Sequence, residues 1–384
     1  MSDRVLTTHV GSLPRPRAVV DLLFAQDRDE LVDPIVFEEA VQQAVDDVVR
    51  RQIDAGIDVV SDGEMSKISY ATYVRHRLAG FEGDSARPTP QDLDDFPDYR
   101  DRLVAEGHSP TYRRPVCTGP IRVRDATLVG RDIGRLRRAL SGRPSVEGFL
   151  TAVSPGTIGV FHPNEYYRTY ETYIEAVAAA MRPEYEDIVG AGFILQIDCP
   201  DLAMGRHSRF KHLDDAQFMR LAELHIDALN EALAYVPADR TRIHVCWGNY
   251  EGPHTHDIPL TTILPLLFRA KPMGLVIEGA NPRHEHEWEV WRHHRLPDGK
   301  ILIPGVIDSS TNYIEHPELV AQRITRYART VGRERVIAGT DCGMGTFAGF
   351  GPVHPDIAWA KLQSLADGAG LASRQLWTLA AAAM

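Results

Sequence analysis

The chain has 384 residues, a formal net charge of −11 at pH 7, 43% hydrophobic residues and 25% charged residues, which is typical of a soluble globular protein. The acidic balance argues against a nucleic-acid partner, and the absence of an apolar run of ~20 residues argues against a membrane span. Four cysteines are too few for a disulfide scaffold, and the N-terminal segment lacks the pattern of a signal peptide, so we expect a cytoplasmic protein with free thiols.

Predicted strands and helices alternate along the chain. Short β-branched runs that end in polar or glycine residues predict eight strands, at residues 5–8, 57–61, 150–153, 193–197, 242–246, 275–278, 301–307 and 335–338. Apolar positions at helical spacing predict helices at residues 34–55, 165–189, 214–234, 317–331 and 355–365. Eight alternations without a break in composition predict an α/β fold, a single (β/α)8 TIM barrel that forms one catalytic domain over residues 1–384.

An insertion of about residues 83–148 is expected between the second and third barrel strands. Its first part, residues 83–109, is rich in Asp, Pro and Arg and follows neither the helical nor the strand period, which indicates an insertion or a lid. Residues 113–125 predict a β-hairpin with its turn at Thr118-Gly119-Pro120.

Side chains that can bind a metal follow three of the predicted strands. His244 and Cys246 alternate along an extended strand, so they lie on the same side of it. Glu278 and Cys342 end two further strands, and parallel barrels gather such residues at one face. An imidazole, two thiolates and a carboxylate make a suitable tetrahedral zinc set. The alternative is that the two cysteines are small buried hydrophobic residues, as free cysteines usually are.

The order of motifs resembles the C-terminal, catalytic barrel of cobalamin-independent methionine synthase. The resemblance extends from about residue 5 to residue 370, and no part of the chain corresponds to the N-terminal barrel of the larger members, so the chain is similar to the short, single-barrel members. It is carried by the segments TTHVGSLPR, VVSDGE, SPGTI, QIDCPDL, HVCWGN, VIEGANPR, GVID and GTDCG.

This resemblance implies a role for each matching position. The residues that match the zinc ligands of the family are His244, Cys246, Glu278 and Cys342. Asp198 and Glu64 match carboxylates that bind the ammonium group of homocysteine, and Ser12 falls near the substrate carboxylate. A free thiol with a pKa near 8.5 is mostly protonated at neutral pH, and only the thiolate is nucleophilic. Bound Zn2+ would hold the homocysteine thiol as the thiolate. A methyltetrahydrofolate-type compound would supply the methyl group without cobalamin. We hypothesise that Glu278, the hardest ligand, yields its place to the substrate sulfur.

Three departures from the family pattern leave the alkyl donor open. A Trp that stacks on the folate after the third strand is absent, and Phe161 is the aromatic residue of that segment. A His after the seventh strand is replaced by Ser309 or Ser310, and a Glu after Asp198 is replaced by Cys199, a spare thiol or a packed residue.

Two alternative functions compete with methyl transfer to homocysteine. Epoxyalkane:coenzyme M transferases also resemble this barrel and open an epoxide with a zinc-bound thiolate. The sulfonate of coenzyme M would need basic residues, for which the loops offer Arg15, Arg122, Arg124 and Arg283. A non-catalytic zinc-binding protein is the alternative of another class, although structural zinc sites usually lie on short Cys-rich hairpins.

The sequence leaves open the roles of the remaining histidines and the oligomeric or accessory partners of the chain. His9 lies close to Ser12 and is a candidate substrate contact or acid. The pairs His254/His256 and His284/His286 either approach the metal or form a solvated polar face, which is the commoner case for alternating polar residues. The expected partners are a small-molecule thiol and an alkyl donor, and both a homo-oligomer and an accessory methyl-donor protein remain compatible with the chain.

Overall fold

Ten strands form a parallel barrel and a separate antiparallel pair in a computed structural model that describes residues 3–106 and 111–381. The eight-stranded sheet has the order β1-β10-β9-β8-β7-β6-β5-β2, and β3 pairs with β4. The strands are β1 Leu6–Thr7, β2 Val59–Ser61, β3 Leu78–Glu82, β4 Val116–Val123, β5 Glu147–Val153, β6 Ile194–Asp198, β7 Thr241–Val245, β8 Gly274–Ile277, β9 Ile301–Ile307 and β10 Ile337–Thr340.

The barrel is closed between β1 and β2 by hydrogen bonds outside the regular ladder. The Asp58 amide donates to Thr7 O at 3.2 Å, and Thr8 Oγ1 donates to Val59 O at 3.1 Å. All other neighbouring strands of the barrel pair in parallel. The predicted (β/α)8 barrel is therefore confirmed, with each barrel strand within a few residues of its predicted position.

Fourteen helices are assigned among the described residues, and most of those between barrel strands pack on the outside of the barrel. They are α1 Arg17–Asp27, α2 Pro34–Asp54, α3 Val74–Arg77, α4 Gln91–Asp95, α5 Pro97–Ala105, α6 Thr127–Ala139, α7 Pro155–Phe161, α8 Tyr170–Gly190, α9 Met204–His207, α10 Asp215–Ala232, α11 Leu260–Arg269, α12 Val290–His293, α13 Pro317–Val331 and α14 Pro355–Ala381. No helix of the described residues is long and apolar enough to cross a membrane.

Local signals explain where the predicted helices begin. Asp33 caps α2 and Pro34 takes its first position, while Asp214 and Gln217 form a reciprocal capping box at the start of α10.

The prediction that the last helix ends at residue 365 is wrong, because α14 continues to Ala381. The helix passes through Gly368, where an added Cβ would lie 2.5 Å from Val320 of α13. That glycine allows close helix packing instead of ending the helix.

The insertion between the second and third barrel strands is present, but its internal structure differs from the prediction. Residues 113–125 do not form a hairpin by themselves, because β4 pairs with β3, which precedes the predicted insertion. The pairing shifts register between Ala79 and Phe81, opposite the Gly119-Pro120 segment of β4. Proline cannot donate to a ladder, so this segment bulges within a strand and does not turn the chain. The predicted lid contains α4 and α5, and residues 107–110 lie outside the described residues.

The interior of the barrel is polar on the side of β6 and β7. Gln196 of β6 donates through Nε2 to Val10 O, and Arg242 of β7 donates to Thr8 Oγ1 at 3.0 Å and to His9 O at 3.1 Å. Because β1 is not a neighbour of β6 or β7 in the sheet, these bonds cross the barrel interior. Side chains two residues further along the same strands therefore face the carboxyl-terminal mouth of the barrel.

Candidate metal and substrate site

Three of the predicted zinc ligands converge at the carboxyl-terminal mouth of the barrel. His244 lies on β7, Cys246 follows the end of that strand, and Cys342 follows β10 by two residues. Their ligand atoms (one imidazole nitrogen and two Sγ atoms) all lie within 4.8 Å of one another, and all three residues are buried. Period two along β7 brings His244 and Cys246 together, whereas Cys342 arrives by closure of the barrel.

The chemistry of this group fits a soft divalent metal. His244 is 98% buried, yet neither of its ring nitrogens has a hydrogen-bond partner. Buried polar atoms are normally satisfied, and a bound metal would satisfy this imidazole. Cys342 and His244 lower the pKa of Cys246 well below its ordinary range, and Cys246 in turn raises the pKa of Cys342 well above it. Cys246 is therefore the more readily ionised thiol of this pair.

Glu278, the fourth predicted ligand, lies beside this group but outside its 4.8 Å radius. Its Oε1 accepts a hydrogen bond from the Trp247 amide at 2.8 Å, and its Oε2 accepts one from Asn281 Nδ2 at 2.7 Å. Burial raises the pKa of Glu278 to about 8, and the negative charge of Cys246 adds to this effect while His284 opposes it. A cation at the cysteine pair would favour the ionised carboxylate, so its ligand role stays a prediction.

The loop that carries Glu278 is shaped by Asp341, which precedes Cys342. The buried Asp341 carboxylate accepts hydrogen bonds from the amides of Gly279, Ala280 and Asn281 at 2.8–2.9 Å and from Asn281 Nδ2 at 2.9 Å. The same Asn281 amide group holds Glu278 Oε2. Asp341 thereby connects the loop of one predicted ligand to the strand end of another.

Glu64 and Asp198, the predicted ammonium contacts, are both buried at this mouth. Glu64 Oε1 accepts a hydrogen bond from Thr151 Oγ1 at 2.8 Å, while its Oε2 has no hydrogen-bond partner and lies 3.6 Å from Arg15 Nη2. Burial and then the charge of Glu64 raise the pKa of Asp198 to about 7, against the opposing charge of His244. Glu64 also adopts a left-handed backbone conformation with φ +58°, which is unusual for a side chain of this size.

Ser12 packs against the residue that follows Cys342. An added Cβ on Gly343 would lie 1.8 Å from Ser12 Oγ, and Ser12 O accepts the amide of Met344 at 2.9 Å. Ser12 therefore touches the cysteine loop, and its contact with a substrate carboxylate stays a prediction.

His9 is enclosed in the barrel, with both ring nitrogens in use. Nε2 lies 2.7 Å from Gln52 Oε1, and Nδ1 accepts the Gly11 amide at 3.1 Å. Burial lowers the pKa of His9 to about 4, which Arg242 reinforces and the bond to Gln52 opposes. These bonds favour a structural role over the candidate catalytic one.

The other histidines and Cys199 take places around the centre. The Asp257 carboxylate lies 3.0–3.2 Å from a ring nitrogen of each of His207, His254 and His284. Burial would raise the pKa of Asp257, but hydrogen bonds from His254 and His284 outweigh it and lower the pKa to about 2. His256 pairs with Asp95 of the insertion at 2.6 Å, and His286 is exposed. Cys199 is buried with its thiol directed to Ile197 O, outside the group of three.

A cavity of about 630 Å3 opens from the two cysteines toward the insertion. Its lining includes Cys246 and Cys342 at one end and an aromatic wall of Tyr70, Phe161 and Phe347. The insertion contributes a further wall of lining residues, among them Arg87, Leu93 and Tyr99. Phe161, the aromatic residue expected after the third strand, thus lines this cavity.

The arginines that line this cavity are not those that the sequence offered. Arg122 on β4, Arg124 just after it and Arg283 are exposed. The Arg15 side chain is buried and lies 3.6 Å from Glu64 Oε2. The cavity is lined by Arg87 and by the buried Arg114, whose guanidinium donates to Ala86 O and Val160 O and lies 5.3 Å from the Phe161 ring centre. Tyr70 and Asn249 were also missed, although Asn249 stands within the HVCWGN segment that was singled out for its cysteine.

Comparisons with known proteins agree with this architecture. A family profile described as "Cobalamin-independent synthase, Catalytic domain" matches residues 5–350. A protein named methionine synthase from Sulfolobus acidocaldarius is 27% identical over 350 residues, which is 90% of this chain and 88% of the relative. Its counterpart from Saccharolobus solfataricus is 25% identical over 375 residues, 96% of this chain and 95% of the relative.

Two solved structures share the fold. A B12-independent methionine synthase from Shewanella sp., solved in complex with selenomethionine, superimposes with a TM-score of 0.75 at 21% identity, covering 98% of this chain and 99% of that one. A putative vitamin-B12 independent methionine synthase from Listeria monocytogenes gives a TM-score of 0.66 at 19% identity, with 96% and 98% coverage.

Proposed function

This chain belongs to the cobalamin-independent synthase catalytic-domain family, and we propose that it transfers a methyl group to the thiol of homocysteine at a zinc centre. The observation that carries this proposal is the convergence of one imidazole nitrogen and two thiol sulfurs within 4.8 Å at the mouth of the barrel. Catalytic zinc sites in proteins keep a position open for substrate and draw their ligands from such rigid strand ends.

The residues that would hold zinc are His244, Cys246, Cys342 and Glu278, and Glu278 would be the one to yield its place to substrate. When bound, zinc supplies the Lewis acidity that keeps a substrate thiol deprotonated at neutral pH. The Trp247 amide and the Asn281 side chain each donate to one oxygen of Glu278, so its carboxylate would stay hydrogen-bonded without a metal.

Glu64 and Asp198 are proposed to bind the ammonium group of the amino-acid thiol. Two buried carboxylates repel each other, and an ammonium ion between them offsets that repulsion. Oε2 of Glu64 supports this role, because it is a buried acceptor that pairs with Arg15 at 3.6 Å but receives no hydrogen bond, so a substrate N–H can donate to it. Ser12, beside Gly343, is proposed to contact the substrate carboxylate.

In the transfer itself, the substrate sulfur forms a bond to the methyl carbon as the bond between methyl and donor breaks. The donor keeps the bonding electron pair and takes up a proton. The cavity beyond the cysteines offers an aromatic wall, of which Phe161 is part, for a methyltetrahydrofolate-type donor.

A second candidate, epoxide opening by coenzyme M thiolate, is favoured by one observation. Arg87 and Arg114 line the cavity, and neither pairs with a carboxylate among the residues that the structure describes. Unpaired cations at a cavity wall suit an anionic ligand. These arginines would bind the sulfonate of coenzyme M as well as the carboxylates of a folate-type donor. The identity of the thiol acceptor therefore distinguishes the two candidate functions.

The test is zinc content and metal–sulfur coordination in the wild type, in Cys342→Ser and in the matched control Cys117→Ser. Cys117 is a buried thiol on β4, away from the metal group. Stoichiometric zinc in the wild type and the control, lost in Cys342→Ser, supports the centre. A new metal–sulfur contact on adding homocysteine supports the methyltransferase, whereas the same change with coenzyme M alone supports epoxide opening. A wild type that binds no zinc would refute both of these functions and the non-catalytic zinc-binding alternative as well.

We further propose that residues 1–384 act as one domain in the cytoplasm on small-molecule substrates. All four cysteines are unpaired thiols, as is usual in a reducing compartment. A homo-oligomer or an accessory methyl-donor protein stays a prediction.

A further inference from the structure

Asn249 joins the two loops that carry the cysteines of the proposed metal centre. Its Nδ2 donates to Gly343 O at 2.8 Å and to Thr346 Oγ1 at 2.6 Å. Its Oδ1 accepts a hydrogen bond from Ser309 Oγ at 2.8 Å. A single side chain of the loop after β7 thus binds the loop after β10 and the loop after β9.

These loops need a connection because their strands are not neighbours. Cys246 follows β7 and Cys342 follows β10, and both β8 and β9 lie between these strands in the sheet. Ladder hydrogen bonds therefore fix each cysteine to its own neighbours and not to the other cysteine. A mutual distance of less than 4.8 Å between their sulfurs depends on contacts across the mouth of the barrel.

The peptide at Gly343 is held from two sides. Ser12 lies against its Cα, where an added Cβ would come within 1.8 Å of Ser12 Oγ, and Asn249 binds its carbonyl oxygen. Gly248 precedes Asn249 with φ +116°, a conformation that favours glycine and turns the chain two residues after Cys246. The loop of each cysteine is therefore directed toward the other by residues next to the thiol.

We infer that Asn249 is a positioning residue that sets the separation of Cys246 and Cys342 and thereby the affinity of the site for its metal. Of the tests below, only the measurement of metal affinity depends on the proposed function. Residues that hold ligands in place typically change metal affinity by about 10- to 100-fold when substituted. The amide is suited to the role because it donates to two acceptors and accepts from a hydroxyl at the same time.

Two substitutions of Asn249 separate geometry from charge. Asn249→Ala removes all three hydrogen bonds. Asn249→Asp keeps the size of the side chain and an acceptor for Ser309, but replaces the donor that binds Gly343 O. The added negative charge would by itself tighten the binding of a cation. Weaker binding by Asn249→Asp is therefore explained by lost positioning and not by electrostatics.

Asn230 provides a matched control far from the barrel mouth. It also ties two segments together, because its Nδ2 donates to Arg269 O at 3.1 Å and its Oδ1 accepts the Lys271 amide at 2.7 Å. Asn230→Ala therefore removes a comparable pair of hydrogen bonds between elements of the outer layer. It reports what a general loss of stability does to the site.

The first readout is Co2+ affinity and the thiolate-to-cobalt absorption of the full-length protein. We expect both Asn249 variants to bind Co2+ about 10- to 100-fold more weakly than the wild type, and Asn230→Ala to match the wild type. Wild-type affinity in Asn249→Asp, or an equal loss in Asn230→Ala, would overturn the inference.

The second readout needs no metal. Dibromobimane becomes fluorescent when it cross-links two neighbouring thiols, so its yield in metal-free protein reports the Cys246–Cys342 separation, with Cys342→Ser as the background. We expect a several-fold lower yield in both Asn249 variants. Cross-linking in a wild type that binds no Co2+ would refute the metal centre and keep the positioning role. An unchanged yield in the Asn249 variants would refute the positioning role alone.

Discussion

Replacement of His9 by Gln is expected to change how the stability of the protein depends on pH. The imidazole is 99% buried, and its Nδ1 accepts the Gly11 amide, so the ring proton lies on Nε2 and is donated to Gln52. Protonation of Nδ1 would direct an N–H group against that amide. This geometry, burial and the nearby Arg242 keep the pKa of His9 at about 4 in the folded protein.

The sign and size of the effect follow from proton linkage. Between the unfolded pKa of about 6.5 and the folded value of about 4, the unfolded chain binds a proton at His9 and the folded protein does not. The stabilisation is therefore fully present above pH 6.5 and is lost as the pH falls toward 4. The difference of roughly 2.5 pH units corresponds to about 3 kcal/mol, since one unit is about 1.4 kcal/mol.

Urea unfolding of the wild type and His9→Gln at intervals from pH 7.5 to pH 4 measures this difference. Gln carries no charge at any of these pH values, so the free energy of unfolding of the wild type should fall relative to the variant by about 3 kcal/mol over the range. His286→Gln, at an exposed position, is the control and should run parallel to the wild type. Parallel curves for His9→Gln would refute the reasoning, and lost activity with parallel curves would return His9 to the catalytic role.

Three further substitutions test the loops around the site. Asp341→Ala leaves two buried backbone N–H groups and one part-buried one without an acceptor, so the free energy of unfolding should fall by about 3–6 kcal/mol and metal content should fall with it. A stable, metal-loaded variant would contradict the assigned network. Gly343→Ala places a Cβ 1.8 Å from Ser12 Oγ and should cost about 1–3 kcal/mol in thermal or urea unfolding; Ser12→Gly in the same chain should recover most of that loss. Lys361→Met leaves the buried Glu315 carboxylate without its cation and should destabilise by about 3–5 kcal/mol, and the double variant with Glu315→Gln should be more stable than the single one. An equally unstable double variant would show that the ion pair is not the cause.

The sequence by itself determined the alternation of elements and the ends of the strands that carry chemistry. Strand runs that end in polar residues are local patterns, and so is the alternation that puts His244 and Cys246 on the same side of β7. Helix starts at Asp33 and Asp214 are equally local, because a cap and its partner are at most three residues apart. The order of motifs then indicated the family.

Only the tertiary structure decided which of these groups meet. Cys342 reaches Cys246 because the barrel closes, although 95 residues separate them and two strands lie between theirs. The pairing of β4 with β3, the close packing at Gly368 and the enclosure of His9 all depend on partners distant in the chain. A local pattern sets backbone conformation and side-chain direction, whereas the position of a side chain relative to another strand depends on the packing of the whole barrel. For that reason the sequence identified the cysteines, and the fold identified Asn249, which holds them together.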